Sequence, residues 1–135
     1  MIRLYQGVDI VGIPKFKGIF LRNDTLLADI FTERERMYCQ SRKDPYVHFA
    51  GRFAAKESFL KALGRGFSTS GIDHIFQEIE VVQNGSGKPQ LLVNGWAAKI
   101  TKKRKIHQMS VSISHSGDYA LASVLLLGEQ QEENR

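Results

Sequence analysis

Residues 53–64, with the sequence FAAKESFLKALG, constrain the fold more than any other part of the chain. Nearly every residue in this stretch is a good helix former, and Gly64 stands where a helix would end. We predict a long helix that begins near Tyr46 and ends at Gly64. Because apolar or small side chains lie on almost every side of its helical wheel, this helix is expected to be central in the fold.

The length and composition of the chain are those of one compact domain. The chain has 135 residues, of which 42% are hydrophobic, and this suits a single domain with a modest core. We expect the domain to span residues 1–127, followed by a polar, disordered tail over residues 128–135. The single cysteine, Cys39, excludes an intrachain disulfide or a cluster of thiolate ligands, and it is typical of a reducing compartment.

The charge and hydropathy of the chain limit its partners. The net charge of +5 favours an anionic partner, which leaves nucleic acid, a phosphorylated cofactor and an acidic protein open. The N-terminal residues lack the apolar segment of a signal peptide, and no run approaches the roughly 18 apolar residues of a membrane span. We therefore expect a cytoplasmic protein that makes no membrane contact.

The first half of the chain predicts one strand and two helices before the long helix. Residues 7–13 (GVDIVGI) have the β-branched character of a strand, with Val8 and Ile10 on one face. Pro14 is placed to open a helix whose apolar face is formed by residues 13, 16 and 20. Thr32 and Glu35 form a capping-box pattern, which predicts the start of a second helix.

The second half predicts strands for the most part. Residues 79–82 and 90–93 read as a hairpin around NGSGKP, and Asn94 is placed to cap a short helix. Residues 109–114 alternate apolar and hydroxyl side chains, as in a half-buried strand. Residues 119–127 are apolar on both faces, so that strand is either central in its sheet or covered by another subunit. This order of elements predicts an α+β fold with mainly antiparallel strands around the long helix.

Glu57 and Lys61 are charged residues on a helix that otherwise favours burial. Four residues apart, they lie only about 40° from each other around the helix. One interpretation is a minor surface ion pair, which contributes about 0.2–0.5 kcal/mol. The other is a site in which the carboxylate holds a metal or a partner, since unpaired burial of a charge is very costly. The helix sequence alone does not choose between them.

Asp9 is the second anomaly, because aspartate is disfavoured within a short β-branched strand. It is either a strand-end or edge residue or a ligand. Together, Asp9 and Glu57 would make a sparse site for a hard cation, because Mg²⁺ takes one or two carboxylates and completes its shell with water and phosphate oxygens.

The stretch SISHSGD over residues 112–118 ends a predicted strand in hydroxyls and an imidazole. Its turn places His115 at an exposed rim, with Ser116 beside it. Residues this close in one turn do not make a Ser/His/Asp triad without support from the fold, and no serine lies in a Gly-x-Ser-x-Gly elbow. Phosphate binding and a plain turn remain as the two interpretations of His115.

Two other motifs carry little weight. Residues 85–89 (GSGKP) resemble part of a phosphate-binding loop, but they lack the following Ser or Thr and lie between two strands. Residues 102–105 (KKRK) form a basic cluster without the interleaved aromatic residues typical of a nucleic-acid surface.

Five segments, taken in order, resemble the holo-acyl-carrier-protein synthases of the 4′-phosphopantetheinyl transferase superfamily. They are residues 7–11 (GVDIV), 49–64 (FAGRFAAKESFLKALG), 87–89 (GKP), 111–116 (VSISHS) and 119–124 (YALASV). The resemblance covers about residues 7–127, and its most specific part is the RFAAKE segment with the lysine that follows it. It implies the fold of that superfamily.

The resemblance also implies a set of site residues. Asp9 and Glu57 correspond to the carboxylates that bind Mg²⁺ together with the diphosphate of coenzyme A, and Lys61 to the active-site lysine. The positions that correspond to contacts with coenzyme A are Lys43, Arg52, Lys88, Pro89, His115 and Ser116. Lys88 and Pro89 match a loop that reaches the nucleotide from a neighbouring subunit, since small members of the family are homotrimers with active sites between subunits.

The implied reaction transfers 4′-phosphopantetheine from coenzyme A to a serine of apo-acyl-carrier protein and releases 3′,5′-ADP, in support of fatty-acid biosynthesis. Glu57 or a water on the metal would take the serine proton. Because carrier proteins are acidic, the basic residues Lys15, Lys17 and Arg22 form the expected docking surface. Family members commonly have Arg where Lys15 stands, and Lys keeps the charge but not the bidentate pairing.

Two non-catalytic alternatives stay open from the residues alone. The first is a small nucleic-acid-binding module that uses the basic cluster of residues 102–105, and it leaves Asp9 and Glu57 unexplained. The second is a transferase fold kept only as a trimeric interaction protein, and the presence of Asp9, Glu57 and Lys61 argues against it. We therefore expect an enzyme that binds neither nucleic acid nor membrane.

Overall fold

The computed structural model describes residues 1–64 and 74–130, which form five strands and six helices in those ranges. In chain order they are β1 (Ile2–Gly12), α1 (Ile13–Phe20), α2 (Asp24–Ile30), α3 (Glu33–Gln40), α4 (Pro45–Ala62), α5 (Ile75–Glu78), β2 (Ile79–Gln83), β3 (Pro89–Val93), α6 (Gly95–Lys103), β4 (Gln108–Ser116) and β5 (Tyr119–Glu129).

The strands form two antiparallel sheets. The larger one has the order β1-β5-β4, and β2 pairs with β3 in a separate hairpin. In the pairing of β1 with β5, the register runs from Ile2 opposite Glu129 to Gly12 opposite Tyr119. The predicted α+β class with mainly antiparallel strands is confirmed, and β5 is central in its sheet, which is the first of the two alternatives predicted for it.

Helix α4 is the centre of the molecule, as the sequence predicts. It packs on the inner face of the larger sheet, where Gly7 of β1 lies so close that an added Cβ would stand 1.9 Å from the Ser58 carbonyl oxygen. The Ser58 hydroxyl donates to Ala54 O at 2.7 Å, within the helix, and to Ala122 O of β5 at 2.9 Å. Contact at backbone distance therefore fixes α4 against the sheet.

The helices before α4 cover its other side. Pro14 lies in the first turn of α1, as predicted, and Phe16 and Phe20 point into the core with ring centroids 4.3 Å apart. The predicted capping box of α3 is present, with Glu35 N donating to Thr32 Oγ1 at 3.2 Å and Thr32 N donating to Glu35 Oε1 at 2.9 Å. Helix α2 and the four-residue α5 were not predicted from the sequence.

Several predicted boundaries are corrected. Strand β1 begins at Ile2 instead of Gly7, and β5 continues to Glu129, so the predicted tail starts two residues too early. Residues 131–135 of that tail lie outside the described part of the chain. Helix α6 follows Asn94, but the Asn94 side chain makes no capping hydrogen bond, and a Glu78 carboxylate oxygen accepts from Ala97 N at 3.3 Å.

The outer face of the larger sheet is apolar and exposed. Leu4 and Ile10 of β1 are 62% and 61% exposed, and Leu125 of β5 is 43% exposed. Val8 and Leu121 add to this face, which we call the outer sheet face. None of the described helices has both the length and the apolar character that a membrane crossing requires.

Candidate active site

Asp9 and Lys61 meet at the contact between β1 and α4. The alternation of β1 turns Asp9 toward α4 while Val8 and Ile10 face outward, as the sequence predicts. Lys61 Nζ donates to Asp9 Oδ1 at 2.8 Å and to Val8 O at 3.3 Å. In the described part of the chain, the ion pair of Lys61 is therefore with Asp9 and not with Glu57.

Glu57 lies one turn earlier on α4 and is almost completely buried. It is 5% exposed, and its Oε1 atom is buried with no hydrogen-bond partner among the described residues. Burial, followed by the negative charge of Asp9, raises the pKa of Glu57 to about 7, and the nearby Lys61 only partly opposes this. A buried carboxyl oxygen without a protein partner is a candidate to bind a cation or to accept a proton.

Asp9 and Glu57 line one cavity between β1, α1, α2 and α4. Lys15 lines the same cavity, and the rest of the wall is largely apolar, formed by residues that include Phe16, Ile19, Phe20, Leu26, Ile30 and Phe53. We call this the carboxylate cavity. An apolar wall lowers the local dielectric and so strengthens every charge interaction made inside the cavity.

The carboxylate cavity offers a sparse set of metal ligands. No group of three or more His, Cys, Asp or Glu side chains within residues 1–64 and 74–130 could hold a metal by itself. Two carboxylates, one of them with an unpaired oxygen, suit a hard cation such as Mg²⁺ that completes its shell with water and phosphate oxygens. The donor set therefore fits a metal that arrives with a phosphorylated ligand.

Arg52 lines a second cleft, which we call the arginine cleft, at the N-terminal half of α4. Pro89 and His115, two other predicted site residues, also line it. Arg52 is only 4% exposed, and its Nη1 atom has no hydrogen-bond partner among the described residues. An unpaired buried guanidinium donor at a cleft is suited to an anion such as phosphate.

A basic pocket adjoins the arginine cleft and shares His48 and His115 with it. The pocket is also lined by Arg42 and Lys43, which belong to the turn between α3 and α4. The pKa of His48 is lowered, first by burial and then by the positive charges of Arg42, Arg52 and His115. A bound phosphate would reduce the repulsion between these positive charges.

The structure brings some of the predicted site residues together and leaves others apart. Asp9, Glu57 and Lys15 line the carboxylate cavity and Lys61 pairs with Asp9, whereas Lys43, Arg52, Pro89 and His115 lie at the arginine cleft and its pocket. The two regions share no lining residue in one chain. Lys17, Arg22, Lys88 and Ser116 are exposed and line neither.

Several residues of the arginine cleft were not predicted as site residues from the sequence, among them Tyr38, His48 and Gln83. His48 precedes Arg52 by four residues on α4, and this helical spacing was a signal that could have identified it. Tyr38 and Gln83 come from α3 and β2, and no local pattern links them to Arg52.

Lys56, which has no role in the sequence analysis, forms a buried ion pair. Its Nζ atom donates to Glu35 Oε1, Phe76 O and Ile79 O, each at 2.7 Å. The other Glu35 oxygen accepts from Val81 N at 2.9 Å. Both side chains are fully buried, so Lys56 joins α4 to α3, α5 and β2 and leaves the site to its neighbour Glu57.

Comparison with protein families places the chain among transferases. The family model of the 4′-phosphopantetheinyl transferase superfamily matches residues 6–124. The chain is 46% identical to the holo-[acyl-carrier-protein] synthase of Syntrophotalea carbinolica over 123 residues, which is 90% of this chain and 94% of that protein. It is 42% identical to that of Geotalea daltonii, over 89% of this chain and 94% of the relative.

Solved structures of this kind share the fold. A Chronobacterium ammoniagenes ACPS–CoA complex matches with a TM-score of 0.81 and 35% identity, over 95% of this chain and 99% of the other. A holo-(acyl-carrier-protein) synthase from Bacillus anthracis, in complex with CoA (3′,5′-ADP), matches with a TM-score of 0.73 and 32% identity, over 93% and 96% of the two chains.

Proposed function

The chain belongs to the holo-[acyl-carrier-protein] synthases of the 4′-phosphopantetheinyl transferase superfamily, and from this premise we propose that it transfers 4′-phosphopantetheine from coenzyme A to a serine of apo-acyl-carrier protein. The serine oxygen forms a bond to the β-phosphorus of coenzyme A as the bond to the diphosphate bridging oxygen breaks. The released 3′,5′-ADP carries away the electron pair of that bond, and the serine proton passes to a base.

The observation that carries this proposal is the arrangement of Glu57, Asp9 and Lys61 at the carboxylate cavity. The reaction needs a group that neutralises phosphate charge and a group that accepts a proton. Lys61 supplies a positive charge 2.8 Å from Asp9, and Glu57 presents a buried carboxyl oxygen with no competing partner in the described chain.

We propose that Mg²⁺ is held by Asp9 and Glu57 together with the diphosphate of coenzyme A. When bound, the ion neutralises charge on the diphosphate as the leaving group departs. With Asp9 engaged by the cation, the Lys61 ammonium group would be available to the transferred phosphate. Glu57 accepts the serine proton inside a cavity whose wall is largely apolar.

Binding of the coenzyme A phosphates is assigned to the basic residues of the arginine cleft and its pocket. Arg52 and Lys43 provide positive charge and His115 a ring nitrogen, and Arg52 adds an Nη1 donor that has no partner among the described residues. Lys88, Pro89 and Ser116 complete the nucleotide contacts. Lys88 N donates to Asn84 Oδ1 at 3.0 Å, which holds the β2–β3 turn in shape and leaves the Lys88 side chain exposed.

We propose that the active enzyme is a homotrimer in which the carboxylate cavity of one subunit faces the arginine cleft of the next. Two observations support this. The two regions share no lining residue within one chain, although coenzyme A needs both. The outer sheet face exposes Leu4, Val8, Ile10, Leu121 and Leu125, which is the kind of surface that an obligate interface buries.

The docking surface for the acidic carrier protein is assigned to Lys15, Lys17 and Arg22. All three are exposed on or just after α1. Because Lys15 also lines the carboxylate cavity, a carrier protein docked on α1 would bring its serine to Glu57. The proposed cellular role is the supply of holo-carrier protein to fatty-acid biosynthesis in the cytoplasm.

A mass measurement tests the proposed reaction. The protein is incubated with coenzyme A, Mg²⁺ and an apo-acyl-carrier protein, and the carrier is weighed by intact mass spectrometry. We expect the carrier to gain the mass of one phosphopantetheine arm, with 3′,5′-ADP as the second product and no gain in the presence of EDTA. Absence of the mass gain across several carrier proteins would contradict the proposal.

A further inference from the structure

The ring of Tyr38, on α3, packs against the buried guanidinium of Arg52. The Arg52 Cζ atom lies 4.0 Å from the centroid of the Tyr38 ring. Arg52 is almost fully buried, and its Nη1 atom has no hydrogen-bond partner among residues 1–64 and 74–130. The ring therefore supplies a stabilising contact to a charge that has left water.

The same ring is approached by other basic groups. The Arg42 Cζ atom lies 5.5 Å from its centroid, and the His48 ring meets it edge-on at 5.9 Å. Gln83 of β2 donates from Nε2 to the Tyr38 hydroxyl at 2.6 Å, which holds the outer end of the side chain in place. Tyr38 is therefore in contact with three basic side chains of the arginine cleft and its pocket.

No carboxylate performs this task in the described part of the chain. The salt bridges there join Arg34 to Glu80, Lys56 to Glu35 and Lys61 to Asp9, and none of them includes Arg42 or Arg52. Asp44 is near enough to His48 to influence its pKa but forms no ion pair within those residues. Arg42 and Arg52 are therefore held without an ion pair in the described part of the chain.

An aromatic face and a carboxylate have different consequences for anion binding. A carboxylate would fix the guanidinium by hydrogen bonds and would compete with phosphate for the same donors. A ring face attracts the cation through its quadrupole and leaves the N–H groups in the guanidinium plane available to a ligand. Tyr38 can therefore orient Arg52 before the ligand binds without neutralising the positive charge of the guanidinium.

We propose that Tyr38 is a positioning residue for coenzyme A, which holds the Arg52 guanidinium in a phosphate-ready orientation through its ring face. This inference rests on the proposed function, in which Arg52 binds a phosphate of coenzyme A. Tyr38 acts through Arg52 and touches no reacting atom, so it affects the binding of coenzyme A and leaves the chemical step alone.

A double-mutant cycle tests the inference. Coenzyme A and 3′,5′-ADP are titrated calorimetrically into wild type, Tyr38→Leu, Arg52→Gln and the double variant, and KM and kcat are measured for each. We expect Tyr38→Leu to weaken binding by about 5- to 30-fold and to raise KM for coenzyme A with kcat nearly unchanged. In the Arg52→Gln background, the same change should add less than about twofold.

Two further variants separate positioning from folding. Tyr38→Phe keeps the ring face and loses only the bond to Gln83, so it should recover most of the binding that Tyr38→Leu loses. Tyr46→Leu removes another half-buried tyrosine, which lines neither the arginine cleft nor its pocket, and it should bind coenzyme A as wild type does.

The outcomes distinguish this inference from the function on which it rests. Equal weakening by Tyr38→Leu in both backgrounds would overturn it, as would unchanged binding by Tyr38→Leu when Arg52→Gln alone is weakened. Wild-type binding by Arg52→Gln would contradict the assignment of Arg52 to coenzyme A, and the inference with it. Equal loss of binding in Tyr38→Phe and Tyr38→Leu would show that the ring face is not responsible.

Discussion

Lys56 and Glu57 are neighbours in the chain and meet opposite conditions in the fold. Lys56 is fully buried and donates three hydrogen bonds, one of them to the Glu35 carboxylate. Glu57 is buried beside it with one oxygen that has no partner in the described chain. A buried polar group without a partner costs free energy, because it has lost its hydrogen bonds to water. Its presence therefore indicates a site where a ligand can replace those hydrogen bonds.

Glu57→Gln is predicted to abolish phosphopantetheine transfer. The amide keeps the volume of the side chain but accepts no proton and is a weak ligand for a hard cation, so kcat should fall by at least about 100-fold. Intact-mass kinetics at saturating coenzyme A and Mg²⁺ measure the effect. The variant should keep the oligomeric state of wild type, and Glu33→Gln on the exposed surface of α3 serves as the control. Near-normal rates in Glu57→Gln would remove this residue from the mechanism.

Glu80 is predicted to make the stability of the fold dependent on pH. A hydrogen bond from Arg34, assisted by one from Thr32, lowers the pKa of Glu80 against the opposing effect of burial. A folded-state pKa below the unfolded value means that the stabilisation is complete above the unfolded pKa, near 4.3. It is lost as the pH falls through the lowered folded-state pKa.

Glu80→Gln should therefore lower the free energy of unfolding at pH 7 by about 1 kcal/mol, a modest value because the pair is partly exposed. The difference from wild type should shrink as the pH falls below about 4. Thermal unfolding at several pH values measures it, with Asp29→Asn on the exposed surface of α2 as the control. A difference that stays constant across this range would contradict the assignment.

At the scale of the elements, the buried pair of Lys56 and Glu35 connects α4 and α3 to the hairpin of β2 and β3. The Glu35 carboxylate accepts hydrogen bonds from Lys56 and from the backbone of Val81 in β2, in addition to its part in the capping box of α3. Lys56 also satisfies the carbonyl oxygens of Phe76 and Ile79, at α5 and the start of β2. Two side chains thus join four elements.

Lys56→Met should lower the free energy of unfolding by about 3–5 kcal/mol, because it leaves the Glu35 carboxylate buried and unpaired. Removing both charges in Lys56→Met/Glu35→Leu should cost less than Lys56→Met alone, since no unpaired charge then remains. Chemical denaturation at a fixed protein concentration measures both variants, with Lys99→Met on the exposed surface of α6 as the control. A double variant less stable than Lys56→Met would contradict this account.

At the scale of the whole molecule, the described chain leaves an apolar sheet face uncovered and divides its site residues between two regions. Both features are explained if the outer sheet face is buried between subunits and each active site combines residues of two neighbouring subunits. Burial of several large apolar side chains would supply the association free energy, at roughly 25 cal/mol for each Å² removed from water.

Leu125→Lys, on the outer sheet face, should convert the proposed trimer into monomers and reduce transfer activity with it. Sedimentation equilibrium and analytical gel filtration measure the mass of the particle. Leu92→Lys is the matched control, because Leu92 is 45% exposed, against 43% for Leu125, but lies on β3 in the other sheet. A Leu125→Lys protein that keeps the mass of wild type would exclude this face from the interface.

The sequence by itself determined the central helix, the strand that carries Asp9, the capping box of α3, the hairpin and the antiparallel α+β class. Each of these depends on local information, such as the period of apolar residues or a cap at a fixed offset. The resemblance of residues 7–127 to a known family added the function. The start of β1 was missed because residues 2–6 mix charged and apolar side chains, and the ladder with β5 decides their conformation.

Only the tertiary structure decided which charges meet. On the wheel of α4, Lys61 faces Glu57, but in the fold it pairs with Asp9, 52 residues away along the chain. Lys56, on the same helix, finds its partner in Glu35, and Arg52 finds the ring of Tyr38. The physical reason is that helix periodicity fixes only the direction in which a side chain leaves its own element. The partner, the degree of burial and the resulting charge state depend on which other elements pack there, and that is a property of the whole fold.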